Sequence, residues 1–438
     1  MSSKEYQYRE VAVIGAGQAG LAISYYLKRE GISHIVLERN TIASSWSDQR
    51  WDSFTLNTPN WMNLLPGEVL DENIDREAFM TKDEYVEKLQ NYALRYALPI
   101  FENHNVERIL RYKDNKKYEV WFSYGDEHTV VIVNQVVVAS GAMSEYGNPG
   151  IAASIPKHIK QMNVAEYRNP AQVEGNVLIV GSGQSGVQLA EELIQREFSQ
   201  KGNIYLATSP VARSPRRYRG KDMMEWLYLS GLMNQRTDQL TDRSLMKSVQ
   251  PQVSGVGRYG HTVSLQSLSQ AGVKHLGMLQ IVDDRKIYFT DTVKQHIYTA
   301  DKHSDMMKRE VDGYIQAHRI AAPLDQDIDL ADIPDSQYQA DSGILQLEYD
   351  QIDTIIWAIG YHGNFTYIKI SELLDEKQQP IHLNGKAPID RFYYLGFPWL
   401  TMRKSGIIFG VKEDSERIFN EIKKELTKVS DGKELKSQ

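Results

Sequence analysis

An α/β chain of two Rossmann-like dinucleotide-binding domains is predicted by three features of the sequence. Two apolar runs, Val11-Ala12-Val13-Ile14 and Val177-Leu178-Ile179-Val180, each break into a Gly-x-Gly-x-x-Gly turn followed by a helical pattern. The turns are near copies: Gly15, Gly17, Gln18, Ala19 and Gly20 in the first, Gly181, Gly183, Gln184, Ser185 and Gly186 in the second. The strand that follows the first turn ends in Glu38, at the distance of about 20 residues where an acid reaches a ribose hydroxyl.

In the first unit, residues 9–14 read as a buried strand and Gln18 to Arg29 as a helix with Leu21, Tyr25 and Leu27 near one face, closed by Gly31. His34-Ile35-Val36-Leu37 is the second strand. The first glycine permits the turn, the second lets the backbone approach a pyrophosphate, and the third lets helix pack on strand. The helix N-terminus then faces the phosphates. Arg39 follows the ribose acid directly.

From Trp46 to Trp61 the chain is dense in tryptophan and polar side chains, with no clean period. Composition leaves two readings: a surface covering a planar cofactor, or a satellite core beneath a loop. A helix is expected over 81–97, capped by Thr81 with Glu84 completing a capping box. Strands are expected at 117–124 and 129–133. A further strand from Val136 meets a glycine turn at Gly141. Gly147, Pro149, Gly150 and Pro156 mark the start of an interdomain connection, assigned to 151–175.

The second unit begins at about Asn176, with a helix from Ser185 to about Arg196 and a strand Asn203–Ala207. Where the first unit has Glu38, this one has Thr208 and Ser209, followed by Arg213, Arg216, Arg217, Arg219 and Lys221. A carboxylate repels a 2′-phosphate, whereas hydroxyls and guanidinium groups bind it, so the second site is assigned to NADPH. A solvated basic face and a nucleic-acid patch are the alternatives. Further on, a helix over 223–232, a turn at 254–257, strands near 285–290, a helix from Asp291 to His318 and an acidic surface loop over 325–335 are expected. The histidines show no metal-ligand spacing, so no metal is expected, and His296 and His303 read as solvated helix residues. Strands at 354–361, ending near Gly360, and at 392–397 echo the one at 136–141 and are expected to complete the first domain. A helix over 413–427 leads into a Lys-rich tail read as disordered. The domains are therefore placed at 1–150 plus 346–438, and at 176–345 with a helical insertion.

The 438 residues suit two or three domain-sized units, and a net charge of −7 argues against a nucleic-acid or anionic-membrane binder. With no cysteine, disulfides, thiolate metal sites and redox-active Cys pairs are excluded. No secretory pattern and no run approaching the ~18 apolar residues of a membrane span are visible, so a cytoplasmic protein is expected.

These residues resemble the class B flavoprotein monooxygenases, in particular their bacterial flavin-containing branch. The resemblance is carried by both glycine turns, Trp46 to Pro59, Tyr167-Arg168-Asn169-Pro170, Arg216-Arg217-Tyr218-Arg219-Gly220, Ala358-Ile359-Gly360-Tyr361 and Arg403-Lys404-Ser405-Gly406. It implies FAD in the first domain, reduced by NADPH in the second. Dioxygen would add at flavin C4a, and the hydroperoxide would oxygenate nitrogen or sulfur of a small organic substrate. It also implies that Asn57 is a hydrogen-bonding catalytic residue and that Arg50 and Trp51 lie against FAD. Trp46, Gly141 and Gly360 complete the implied cofactor-binding set. Two segments depart from the family pattern. Lys157, Ile159 and Asn163 stand where an aromatic residue, a glycine and a histidine are usual, and Ile359 replaces a threonine. The histidine departure keeps open a flavin reductase or oxidase, and a catalytically quiet dinucleotide-binding sensor is the reading from a different class. The expected partners are a small-molecule substrate and O2, with neither nucleic acid nor membrane; a homodimer is compatible with the sequence.

Overall fold

The computed structural model describes residues 7–113, 116–147, 149–195, 202–247, 251–283, 285–324, 329–333 and 344–434. Two mostly parallel sheets organise them. The first runs, in spatial order, Ile100–Phe101, His34–Leu37, Gln7–Ile14, Glu127–Val138, Tyr118–Tyr124 and Asn105–Arg111, with Phe392–Tyr394 also paired to Glu127–Val138. The second runs Lys274–Leu276, Ile204–Ala207, Val177–Val180, Thr354–Trp357 and Lys160–Asn163, every neighbour parallel.

The central strands are fully buried apolar runs, as parallel strands covered on both faces require. Each glycine turn joins its strand to a helix, Gln18–Arg29 in the first unit and Gln184–Ile194 in the second. The Thr81 capping box is present at the start of Lys82–Arg95. The helix Ile408–Glu434 packs on Gln18–Arg29, where Phe419 stacks on Tyr26 at 5.4 Å, a contact worth about 1 kcal/mol beyond its buried area.

The structure revises several expectations. Glu127–Val138 is one strand, not two. Asn134 and Gln135, which look like a break, are polar side chains with partners: Asn134 donates to Glu10, and buried Gln135 donates to the carbonyl of Ile422 and accepts from Tyr393. Thr354–Trp357 belongs to the second sheet, in register with Val177–Val180, so the stretch 346–360 goes with the second unit and only the chain beyond it returns to the first. Likewise Lys160–Asn163, placed in the connection, is an edge strand of the second sheet. The likeness between 136–141 and 354–360 is genuine but means that each unit carries its own copy. The C-terminal helix continues to Glu434, well past residue 427. Residues 435–438, Arg196 and most of the 325–335 loop lie outside the described residues.

Candidate active site

The two glycine turns have the same geometry. Gly15 and Gly181 hold φ of +103° and +108°. In each unit the carbonyl at the end of a neighbouring strand approaches that first glycine: a Cβ on Gly15 would meet Ala139 O at 2.7 Å, and one on Gly181 would meet Ala358 O at 2.4 Å. The last glycine of each turn, Gly20 or Gly186, leaves only 1.9 Å between an added Cβ and the first glycine's oxygen. Both turns therefore require glycine for packing, while a Cβ on Gly17 would point into open space. That space is the side from which a pyrophosphate approaches.

It opens into a cleft of about 370 Å3 along the C-terminal edge of the first sheet. Of the expected residues, Gly15, Gly17, Gln18, Ala19, Glu38, Arg39, Trp46, Arg50 and Gly141 line it. Gly20 sits behind the turn as a packing residue. The Glu38 carboxylate is held at the strand end by the N–H groups of Ala16 at 2.8 Å and Asn40 at 3.0 Å. Gln18 accepts from the Trp46 indole at 3.2 Å, and Arg39 and Gln49 both donate to Ser144 O at 3.1 Å. Burial of this order, with a fixed acid at the ribose position and an open glycine at the phosphate position, fits the adenosine and pyrophosphate of FAD.

Arg50, with Arg39, supplies the positive charge of this cleft. The Arg50 guanidinium lies 5.5 Å from Trp46, 5.6 Å from Phe54 and 5.1 Å from Tyr361, measured to ring centroids, and among the described residues it forms no ion pair, donating instead to Gln49 O at 2.9 Å. Desolvation among these rings pushes its pKa down from the ordinary arginine value, opposed by Tyr361, yet a guanidinium stays charged. A desolvated positive charge without a carboxylate is costly unless an electron-rich ligand compensates it. Trp51, expected beside it, is instead buried edge-on against Phe54 at 4.9 Å and does not line the cleft. Sequence reading missed the far wall: His104, Asn364, Tyr367, Gly396 and Gly406. Of these Gly396 had a signal in the strand read over 392–397 and Gly406 in the Arg403–Gly406 run.

The segment 46–61 lines the cleft with Trp46 and Arg50, buries Trp51, Phe54 and Leu56 in the core, and also clasps the two units together. Asp52 N donates to Arg168 O at 2.8 Å, Arg168 donates to the carbonyls of Arg50 and Asp48, and Asn169 donates to Asp52 at 2.8 Å. Ser53 donates to Glu192 at 2.9 Å. Asn57 lies outside the cleft lining, between the units; its side chain accepts from Gln188 at 3.2 Å and its carbonyl from Arg216 at 2.9 Å.

The second turn is pinned from its own domain. Gln184 holds the backbone of Val253 through both ends of its amide, and Ser182 Oγ accepts from Ser209 N at 2.9 Å. Ser185 and Gly186 begin the helix, with Gly183 as its N-cap, and Gly360 follows the strand that backs the turn. The expected phosphate cluster is not assembled here. Thr208 is 1% exposed and bonds to Leu276 O and His296, and Arg213 and Arg216 are buried in ion pairs with Asp301, Asp332 and Asp222. Arg217 pairs with Glu77. His296 is therefore buried rather than solvated, and His303 Nδ1 donates to Arg213 O at 3.0 Å. Asp332, expected in a surface loop, is a buried partner of Arg213. Asn163 caps a turn: its Oδ1 accepts from Ala165 N at 2.8 Å and Glu166 N at 3.2 Å. Among the described residues no group of side chains is arranged for a metal, and no helix is long and apolar enough to cross a membrane.

The comparisons with known proteins agree with this architecture. Residues 12–262 match the family described as pyridine nucleotide-disulphide oxidoreductase. An uncharacterized CzcO-like oxidoreductase of Geobacillus kaustophilus is 30% identical over 417 residues, 94% of this chain and 98% of that protein. Among solved structures, a flavin-containing monooxygenase from Stenotrophomonas maltophilia superposes with a TM-score of 0.62 at 18% identity, covering 96% of this chain and 99% of that one. The FAD-bound cadaverine monooxygenase DfoA of Erwinia amylovora gives 0.59 at 14% identity, covering 95% and 94%. These likenesses show the fold of the two-dinucleotide-binding flavoprotein monooxygenases. By the extent of its family match and of its CzcO-like relative, the chain belongs to the pyridine nucleotide-disulphide oxidoreductase family.

Proposed function

We propose that the chain is an FAD-dependent monooxygenase that takes its hydride from a reduced nicotinamide dinucleotide, NADPH in the reading of the sequence, and places one oxygen of O2 on nitrogen or sulfur of a small organic substrate. The observation that carries this reading is Arg50, a desolvated cation with no ion pair among the described residues, in a cleft lined by Glu38 and the open face of Gly17. The absence of cysteine leaves no dithiol to relay electrons. Bound FAD would supply hydride acceptance and dioxygen activation. The chain's own work is then to hold and shield it. Glu38 would take the ribose hydroxyls, the Gly15–Gly20 turn the pyrophosphate, and Arg50 electron density on the ring system. The 46–61 clasp would set the distance between the cofactors, with Asn57 at the junction where the substrate enters.

A second reading, a flavin reductase or oxidase releasing peroxide, is favoured by Asn163, whose side chain is spent on a turn where the family pattern has a histidine. Product mass decides between them. FAD-loaded protein is supplied with reduced dinucleotide, isotopically labelled dioxygen and a panel of amines and sulfides, with peroxide measured in parallel. Labelled oxygen in the product supports the monooxygenase; stoichiometric peroxide with unaltered substrates overturns it. A protein that refuses FAD overturns both.

A further inference from the structure

The sequence places five cations within nine residues of the second unit, just beyond the strand whose end meets a dinucleotide's adenosine ribose. In the folded chain each of the five already has a carboxylate. Arg213, 1% exposed, donates Nε to Asp332 at 2.7 Å, places Nη1 2.7 Å from Asp301 and Nη2 2.7 Å from Asp332. Lys308 pairs with the same Asp332, and Ser304 and Gln266 bond to the two carboxylates, so two cations balance two anions inside the domain. Arg216, 2% exposed, is held by Asp222 at 2.6 and 2.7 Å, lies 4.3 Å over the Phe79 ring and donates to Asn57 O. Arg217 pairs with Glu77 at 2.9 Å, Arg219 with Asp312 at 3.0 Å and Lys221 with Glu225 at 2.6 Å.

The hydroxyl at the strand end is no freer. Thr208 donates to Leu276 O at 2.7 Å and shares a 2.8 Å hydrogen bond with His296. Desolvation holds His296 below the ordinary histidine pKa, so it adds no charge at neutral pH. Arg403 has no ion pair among the described residues, but its charge is felt at His303, two helical turns past the histidine that touches Thr208. Just as important, the strand end lacks the acid that repels a 2′-phosphate: Thr208 stands where the first unit has Glu38. Among the described residues, the five cations at 213–221 are all paired, and no carboxylate ends the strand where Glu38 ends its counterpart.

We infer that the second unit does not select on the 2′-phosphate of its dinucleotide, and that NADH and NADPH serve it with similar efficiency. This rests on the proposed use of a reduced dinucleotide. It assigns the 213–221 cations to structure: they fasten the long helix Val293–His318 and the segment around Asp332 to the domain and, through Arg216 and Arg217, the second unit to the first. Recruiting Arg213 or Arg216 to a phosphate would strand its buried carboxylate, which opposes the exchange.

Two measurements on the FAD-loaded protein test it. Anaerobic flavin reduction is followed with NADH and with NADPH, and equilibrium binding of NAD+ and NADP+ is measured independently of turnover. Reduction efficiencies and affinities within about tenfold of each other are expected; a preference for the phosphorylated form of about 100-fold or more in either measurement overturns the inference. Similar binding without flavin reduction by either donor supports the inference and sinks the proposed function instead. Arg403→Ala, at an exposed position, is expected to leave the NADPH-to-NADH ratio unchanged, and a tenfold fall in that ratio counts against the inference. Ser209→Arg, which supplies a cation lacking a buried carboxylate, is expected to raise the ratio at least about tenfold.

Discussion

The side-chain amide of Gln188 donates to Asn57 Oδ1 across 3.2 Å, from the second unit's helix to the first unit's clasp. Arg216 bonds to the carbonyl of the same Asn57. Asn57 is thus fixed by the second domain, although Trp46 and Arg50 of the same segment line the cleft of the first. Asn57→Ala and Gln188→Ala are each expected to slow flavin reduction while leaving FAD content unchanged. In a double-mutant cycle on that rate they should couple by about 1 kcal/mol, the worth of one hydrogen bond. Independent, additive effects would show that the contact does not set the relation between the units.

The glycines separate packing from ligand approach. Gly20→Ala drives a Cβ to 1.9 Å from Gly15 O, backbone against backbone, and is expected to lower stability by about 1–3 kcal/mol even without flavin. Gly17→Ala meets nothing within 4 Å and has φ −79°, so the protein should melt normally but bind FAD at least about tenfold more weakly. Melting curves with and without added FAD check both. Equal flavin affinity for Gly17→Ala and the parent would remove the pyrophosphate from that face.

How much of this was readable beforehand follows the range of the interactions. Gly15 to Glu38 is a local motif whose spacing encodes its geometry, and the sequence located it to the residue. The partner of each turn, Ala139 or Ala358, is over 100 residues away, and only pairing reveals which strand serves which unit. Arg213 and Arg216 are turned inward into buried ion pairs for the same reason. A run of cations looks solvated until the chain brings Asp301, Asp332 and Asp222 beside it. Trp51 and His296 show that a helix or loop period does not state which way a side chain faces when both sides are covered.

Arg50 provides a sharp contrast between folding and binding. Its guanidinium sits among Trp46, Phe54 and Tyr361 with no carboxylate paired to it among the described residues. Arg50→Met keeps the apolar stem and removes the desolvated charge, so the FAD-free protein is expected to melt at the same or a higher temperature. Flavin affinity should fall by at least about tenfold, because the compensating ligand contact is lost. A variant that loses stability but keeps flavin affinity would make Arg50 a structural residue.

The last expectation concerns pH. His261 shares a 2.5 Å contact with Glu191 and is also bonded to Val256 O, fastening the 254–261 turn to the second unit's helix. The hydrogen bond to Glu191 raises the pKa of His261 above its ordinary 6.5, with desolvation opposing it. A folded-state pKa above the unfolded one means that the folded state holds the proton more tightly, so the stabilisation is complete below the unfolded value and is lost as pH rises through the folded one. Melting temperature should therefore decline as pH rises above the ordinary histidine value of about 6.5 by more than the other groups account for. Glu191→Gln should flatten that slope, because the amide cannot stabilise the imidazolium. The pair is partly exposed, so the slope should also shrink in high salt. A Glu191→Gln protein with the parent's pH profile would show that His261 titrates alike in the folded and unfolded chain.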